Sequence, residues 1–277
     1  MNISLNPSRA AATRAPVGEL LRTWRQRRRW SQLDLAGEAE VSTRHLSCME
    51  TGRALPSREM LLRLAERLQV PLRERNELLT AAGYAPMFGE RALGDTALQA
   101  AREAVERVLH AHEPYPALAV DRHWHMVSAN RAITHLLAGL DAAQLAPPVN
   151  VLRLSLHPAG LAPRIANLGA WRSHLLTRLD QQVRASGDAT LAALAQELRQ
   201  YPGPPHEAEP PSAVAVPLQL HSPAGLLSFI STITVFGTPV DITLSELAIE
   251  AFFPADEQTA QALQALAKST PAPASTG

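Results

Sequence analysis

Residues 31–53, SQLDLAGEAEVSTRHLSCMETGR, decide how the first part of the chain folds. They read as two short helices, over 32–39 and 42–50, joined by a tight turn through Glu40 and Val41. Ser31 and Ser42 each stand just ahead of a helical pattern, where a hydroxyl accepts from N–H groups that the first turn leaves unpaired. Leu35, Ala36 and Ala39 of the first helix, and Val41, Leu46 and Met49 around the second, fall where two crossed helices bury them. The opposite side of the second helix then carries Thr43, Arg44, Ser47 and Cys48. Short polar groups and one arginine facing outward, braced from behind by another helix, suit the major groove of duplex DNA.

The flanks extend this pair into a bundle. Upstream, Val17, Leu20, Leu21 and Trp24 form one face of a helix over 17–28. Arg22, Arg25, Arg27, Arg28 and Arg29 crowd its other faces, either as an edge that neutralises phosphates or as a solvated surface. Downstream, Gly52 is suited to end a helix and Pro56 to open the next element. Ser57 caps a stripe of Leu61, Leu64, Ala65 and Leu68, and Pro71 opens a fifth helix with Leu72, Leu78 and Leu79 inward. Gly83 ends it, giving an all-α domain over 16–83. Residues 1–15 lack periodicity and are expected to be a disordered arm, with Arg9 and Arg14 either in a solvated tail or reaching a neighbouring minor groove.

Charge separates the two parts of the chain. The net charge is zero over 277 residues, yet residues 1–83 hold 14 arginines against 9 acids, and the remainder is acidic by the same margin. A basic first part on an acidic remainder fits a DNA-binding module joined to something that is not one.

The run S-Q-x-x-L-A-x-x-x-x-V-S-x-x-x-L-S-x-M-E-x-G-x-x-x-P-S resembles the helix-turn-helix of the phage-repressor-like XRE family of transcription regulators. That resemblance implies a five-helix fold in which Gln32 holds a phosphate at a helix N-terminus. It implies that Ser42, Thr43, Arg44 and Cys48 face the bases, while Thr51 and Arg53 touch the DNA backbone. Arg29 and Glu40 stand where the family often has glycine, so each is expected in a left-handed conformation costing roughly 1 kcal/mol.

Residues 84–95, YAPMFGERALGD, read as a linker, and a helix follows over 96–112. The texture then changes to a strand over 116–120, a turn, a returning strand over 124–128 and a helix from Asn130. This stretch, PALAVDRHWHMVSANRAITHLL, resembles the opening of a PAS-like sensor domain, and more closely the ligand-binding domain behind the helix-turn-helix in MmyB-like regulators. The likeness continues through 150–183, 188–201 and 213–253, which implies an α+β domain over 96–267 with an antiparallel sheet. Strands are expected over 214–220, 227–235 and 242–249, and Asp256 caps a closing helix. Residues 201–212 form a proline-rich loop, and 268–277 a disordered tail. The apolar inner faces of this domain, with Trp124, Met126, Trp171, Phe229, Ile233 and Phe236, form either a filled core or the lining of a cavity, and the resemblance implies a pocket for a small apolar effector such as an acyl chain.

Other chemistry finds little support. Cys48 is alone, so neither a disulfide framework nor a cysteine zinc site arises within one chain. With no signal peptide and no apolar run of bilayer length, a cytoplasmic protein that does not enter membranes is expected. His110/His112 and His123/His125 have a spacing that suits ligands on a strand, but without a carboxylate pair or a second cysteine no metal site is assigned. No nucleophile elbow, phosphate-cradling glycine loop or H-E-x-x-H occurs, so no enzyme and no cofactor is expected. The expectation is a homodimer on a double-stranded operator whose affinity answers to an effector. The alternative is ligand-independent DNA binding in which the second domain only dimerises.

Overall fold

Short polar side chains cap most of the helix starts, and left-handed residues stop all five helices of the first unit. In the computed structural model, which describes residues 16–204 and 215–269, the chain divides into two units, 1–89 and 90–277. The arm with Arg9 and Arg14, residues 205–214 (most of the proline-rich loop and the first position of the strand expected over 214–220), and the tail from 270 onward lie outside the described residues.

The first unit holds α1 (Val17–Arg27), α2 (Gln32–Glu38), α3 (Thr43–Glu50), α4 (Arg58–Arg67) and α5 (Leu72–Ala81). Ser31 makes a reciprocal box with Asp34, its hydroxyl accepting from Asp34 N at 3.1 Å and its N–H donating to Asp34 Oδ2 at 2.7 Å. Ser42 accepts from His45 N at 3.1 Å and Ser57 from Met60 N at 3.2 Å. All five helices end through a residue with positive φ. Gly52 and Gly83 end two of them, while Arg29, Glu40 and Gln69 do so with side chains, at φ 57°, 55° and 50°. The left-handed geometry expected at Arg29 and Glu40 is therefore present. Leu21, Leu35, Leu46, Met49, Leu64, Leu68 and Leu79 are fully enclosed in one core. Gly18 lets α1 cross α3 closely: a Cβ there would stand 2.7 Å from Glu50 O and closer still to Met49 O.

The second unit runs α6 (Gln99–Ala111), β1 (Ala117–Val120), β2 (Met126–Ala129), α7 (Arg131–Leu137), α8 (Val151–Leu156), α9 (Leu168–Ser186) and α10 (Ala189–Gln200). It continues with β3 (Leu218–Ser222), β4 (Gly225–Val235), α11 (Ile242–Ser245), β5 (Ala248–Pro254) and α12 (Glu257–Ser269). The five strands form one antiparallel sheet in the order β2-β1-β5-β4-β3. Alternation along β1 splits its side chains between two cores. Leu118 and Val120 join Trp171, Leu175, Phe229 and Phe252 on one face. Ala117 and Ala119 meet Val105 and Leu109 of α6, with Leu247 and Ile249, on the other. Asn130 ties these layers together from a buried position. Its Oδ1 accepts from Ala117 N at 3.1 Å, and its Nδ2 donates to Leu109 O at 3.1 Å and Tyr115 O at 2.8 Å.

One expected strand is corrected. The run 242–249 does not extend throughout: Asp241 Oδ1 accepts from Thr243 N at 3.0 Å and Leu244 N at 3.4 Å, closing a helical turn, and the strand begins only at Ala248. Asp256 does cap the closing helix, accepting from Thr259 N at 2.7 Å.

Candidate functional site

Helix α3 is amphipathic in a way that leaves a polar ridge. Leu46, Met49 and Glu50 are buried, and the far side carries Arg44, Ser47, Cys48 and Thr51 at steps of three and four. Arg44 and Thr51 are exposed, whereas Ser47 and Cys48 are half-buried. Thr43 sits half-buried on the flank, and Ser42 is exposed but holds the helix start. After the helix, Thr51 Oγ1 donates to Ser47 O at 2.7 Å and accepts from Arg53 Nε at 3.2 Å, which steadies an otherwise exposed arginine. Exposed His45, on the first turn of α3, was not singled out from the sequence, although it follows the N-cap by three residues and faces solvent.

Behind the ridge lies a buried ion pair. Arg25 Nε and Nη2 meet Glu50 Oε1 and Oε2 at 2.6 and 2.8 Å, and Arg25 Nη1 donates to Trp30 O at 2.8 Å. Gln32 Nε2 adds a bond to Glu50 Oε2 at 2.8 Å, so α1, α2 and α3 share one carboxylate. Burial pushes the Glu50 carboxyl up, but the bonds from Arg25 and Gln32 and the charges of Arg25 and Arg22 outweigh it and hold the group below its ordinary value.

This network changes how the arginine-rich edge is read. Arg25 faces inward, and Arg28 donates to Leu68 O at 2.8 Å and Gln69 O at 3.0 Å. Arg22, Arg27 and Arg29 are the exposed members, with Arg27 lying 4.8 Å from the centre of the Trp24 ring. Gln32, expected on a phosphate, has its amide on Glu50; an amide NH₂ carries a second proton, so one donor remains to be placed.

In the second unit a cavity of about 70 Å³ opens inside the main core. Of the candidate lining residues Met126 and Trp171 border it, while Trp124 and Phe229 are core residues outside its lining. Two expected lining residues are misplaced. Ile233 is 42% exposed near the end of β4, and Phe236 packs on the opposite face of the sheet, against the α6 core. The cavity holds two charged residues that the hydrophobic search passed over, Arg178 and Glu250, joined at 3.0 Å. The Arg178 guanidinium lies 4.3 Å from the centre of the Trp124 ring, and its Nη2 is buried without a hydrogen-bond partner among the described residues. A groove of about 800 Å³ lies alongside, walled by α7, the β3–β4 hairpin and α12, with Arg131, Arg164 and Lys268 around Leu140, Leu263 and Leu266. Leu136 lines both spaces.

No helix among the described residues is long and apolar enough to cross a membrane. A comparison with curated proteins gives no match. Residues 16–78 match a helix-turn-helix domain. Residues 101–266 match the MmyB-like transcription regulator ligand binding domain, a placement among transcription regulators and not in an enzyme family. With the ridge of α3 on one unit, a cavity in the core of the other and that match over more than half its length, the chain belongs to the MmyB-like family of helix-turn-helix, DNA-binding transcription regulators.

Proposed function

We propose that this regulator, of the XRE type, binds a double-stranded operator as a homodimer and that a small amphipathic acid in its second unit sets operator affinity. The observation that carries the DNA reading is the ridge of α3, polar and accessible outside, clamped by a buried ion pair inside. Arg44, Ser47 and Cys48 enter the major groove, with Ser42 and Thr43 at the leading end. Thr51, Arg53 and the second amide proton of Gln32 hold phosphates. Recognition helices in such dimers lie about one DNA turn apart, roughly 34–36 Å.

The effector reading rests on the cavity. A buried guanidinium N–H without an acceptor costs about 1–3 kcal/mol, and a carboxylate from a ligand relieves it. At about 70 Å³ the cavity is well below the roughly 150 Å³ that admits benzene. An acyl chain therefore needs the adjoining groove, reached by turning Leu136 aside. Ligand control further requires that the acid prefer one of two states differing in operator affinity.

Fragments selected from the source genome supply the operator, and anisotropy titrations with saturated acids of graded length then test the effector. The reading expects a length-dependent shift in operator affinity that is lost in Arg178→Leu/Glu250→Leu, which removes both charges together, while effector-free DNA binding persists. No shift across the panel favours the second reading, in which the second unit only dimerises. Ile230 and Phe253 favour that reading: they pair across β4 and β5, and each is more than two-fifths exposed.

A further inference from the structure

The hairpin between β1 and β2 gathers a group of side chains that DNA reading and effector binding leave unused. The spacing of His123 and His125 suits strand ligands, without a carboxylate pair or cysteine nearby in sequence; the turn brings up the single carboxylate of Asp121. Asp121 Oδ1 accepts from the backbone N–H groups of His123 and His125, both at 2.8 Å, which folds the turn back over its own carboxylate. The other oxygen, Oδ2, faces His125 Nδ1 at 3.0 Å. One donor atom from each of Asp121, His123 and His125 then lies within 4.8 Å of the others. Between the histidines Trp124 adopts a left-handed backbone, φ 67°, and its indole N–H donates to Gln182 Oε1 at 2.8 Å.

We propose that Asp121, His123 and His125 bind a single divalent cation of the borderline class, with zinc as the representative ion. Two imidazoles and one carboxylate are a donor set for such ions; calcium and magnesium take oxygen alone, and copper(I) prefers sulfur. Zinc bonds to nitrogen and oxygen run about 2.0–2.2 Å, so the present spread needs to contract by only about an ångström, within reach of side-chain torsions. A second carboxylate orients one ligand: His123 Nε2 meets Asp188 Oδ2 at 3.0 Å, and the tautomer donating there leaves its lone pair on Nδ1. Asp188 is held in turn by Arg122, which also meets Glu246 at 2.8 Å. Arg122 thus pairs with two carboxylates, Asp188 and Glu246, while Asp121 stands on the turn as a third beside the histidines, and nearby carboxylates favour a cation. The three ligand side chains are 27–37% exposed, leaving water to complete the coordination shell.

The test uses untagged full-length protein stripped with a chelator. Calorimetry with Zn²⁺ should show binding of one equivalent, and Co²⁺ should develop the visible absorption of a low-coordinate nitrogen–oxygen site. His123→Ala/His125→Ala should weaken Zn²⁺ binding by more than about tenfold while melting like the parent in chelator, and His110→Ala should leave it unchanged. A measurement on the parent protein guards against a misfolded variant: substoichiometric Co²⁺ should shift or broaden the Trp124 indole N–H resonance before those of Trp24 and Trp30. Less than one equivalent bound, undiminished binding by the double variant, or a Trp124 resonance untouched by Co²⁺ overturns the proposal.

Discussion

The first unit carries its chemistry outside its core and the second carries it within. The groups proposed to enter the major groove, Arg44, Ser47 and Cys48, come from one eight-residue helix, and the buried Arg25–Glu50 pair behind them only holds the helix in place. In the second unit the order is reversed. The buried Arg178–Glu250 pair is itself the candidate for ligand contact, in a cavity whose walls come from residues 118 to 252. Two ion pairs of the same composition thus serve different ends. The first is saturated, with Gln32 and Trp30 taking up further valences of carboxylate and guanidinium; the second leaves Arg178 Nη2 unmatched. A satisfied buried pair specifies an arrangement, whereas an unsatisfied one invites an acceptor.

Breaking the saturated pair should have the largest effect. Glu50→Ala leaves Arg25 buried without its carboxylate and should destabilise the first unit by about 3–5 kcal/mol in denaturant titrations, with little change in the second unit. A loss no greater than that of an exposed pair, about 0–1 kcal/mol, would erase the contrast. The same carboxylate predicts a pH dependence. Because Glu50 is held below its ordinary 4.5, the unfolded chain takes up the proton more readily than the folded one. Its contribution should be complete above about pH 4.5 and disappear as the pH falls through the lower folded value, a loss absent from Glu50→Ala.

A smaller effect is expected where α1 crosses α3. Gly18→Ala forces a methyl against the backbone of Met49 and Glu50, and should cost about 1–3 kcal/mol and weaken DNA binding through the displaced ridge. Smallest of all is Glu40→Gly, which relieves a left-handed side chain between α2 and α3. It should raise stability by up to about 1 kcal/mol without changing operator preference, and a fall in melting temperature would show the Glu40 backbone to be unstrained.

These contrasts also explain what the sequence could disclose. The α2–turn–α3 pair is local: caps at Ser31 and Ser42 and apolar steps of three and four lie within a few residues of one another, and the left-handed Glu40 followed from resemblance to a family that often has glycine there. Arg25 was misread because its partner stands 25 residues away, and a charged residue in an arginine-rich helix looks like surface until the crossing of α1 and α3 is known. In the second unit the strands and helices were largely visible, but the lining of the cavity depends on register between strands far apart in sequence. Apolar alternation along β4 marked Ile233 without revealing that the sheet ends beside it uncovered, and Phe236 lies on the other face. Residues 242–249 have apolar spacing compatible with either element, and only the Asp241 cap decides for a helical turn. Arg178 and Glu250 were missed because a search for apolar lining does not look for charge.

The account rests on the exposed face of α3 reading base pairs, and one paired titration tests this directly. Affinities of the parent, Arg44→Ala and Arg53→Ala for the selected operator and for a scrambled duplex are measured over a range of salt. Arg44→Ala should lose about 1–3 kcal/mol on the operator and much less on the scrambled duplex, whereas Arg53→Ala should weaken both alike and flatten the salt dependence by about one charge. Equal losses on both duplexes for Arg44→Ala would contradict the claim.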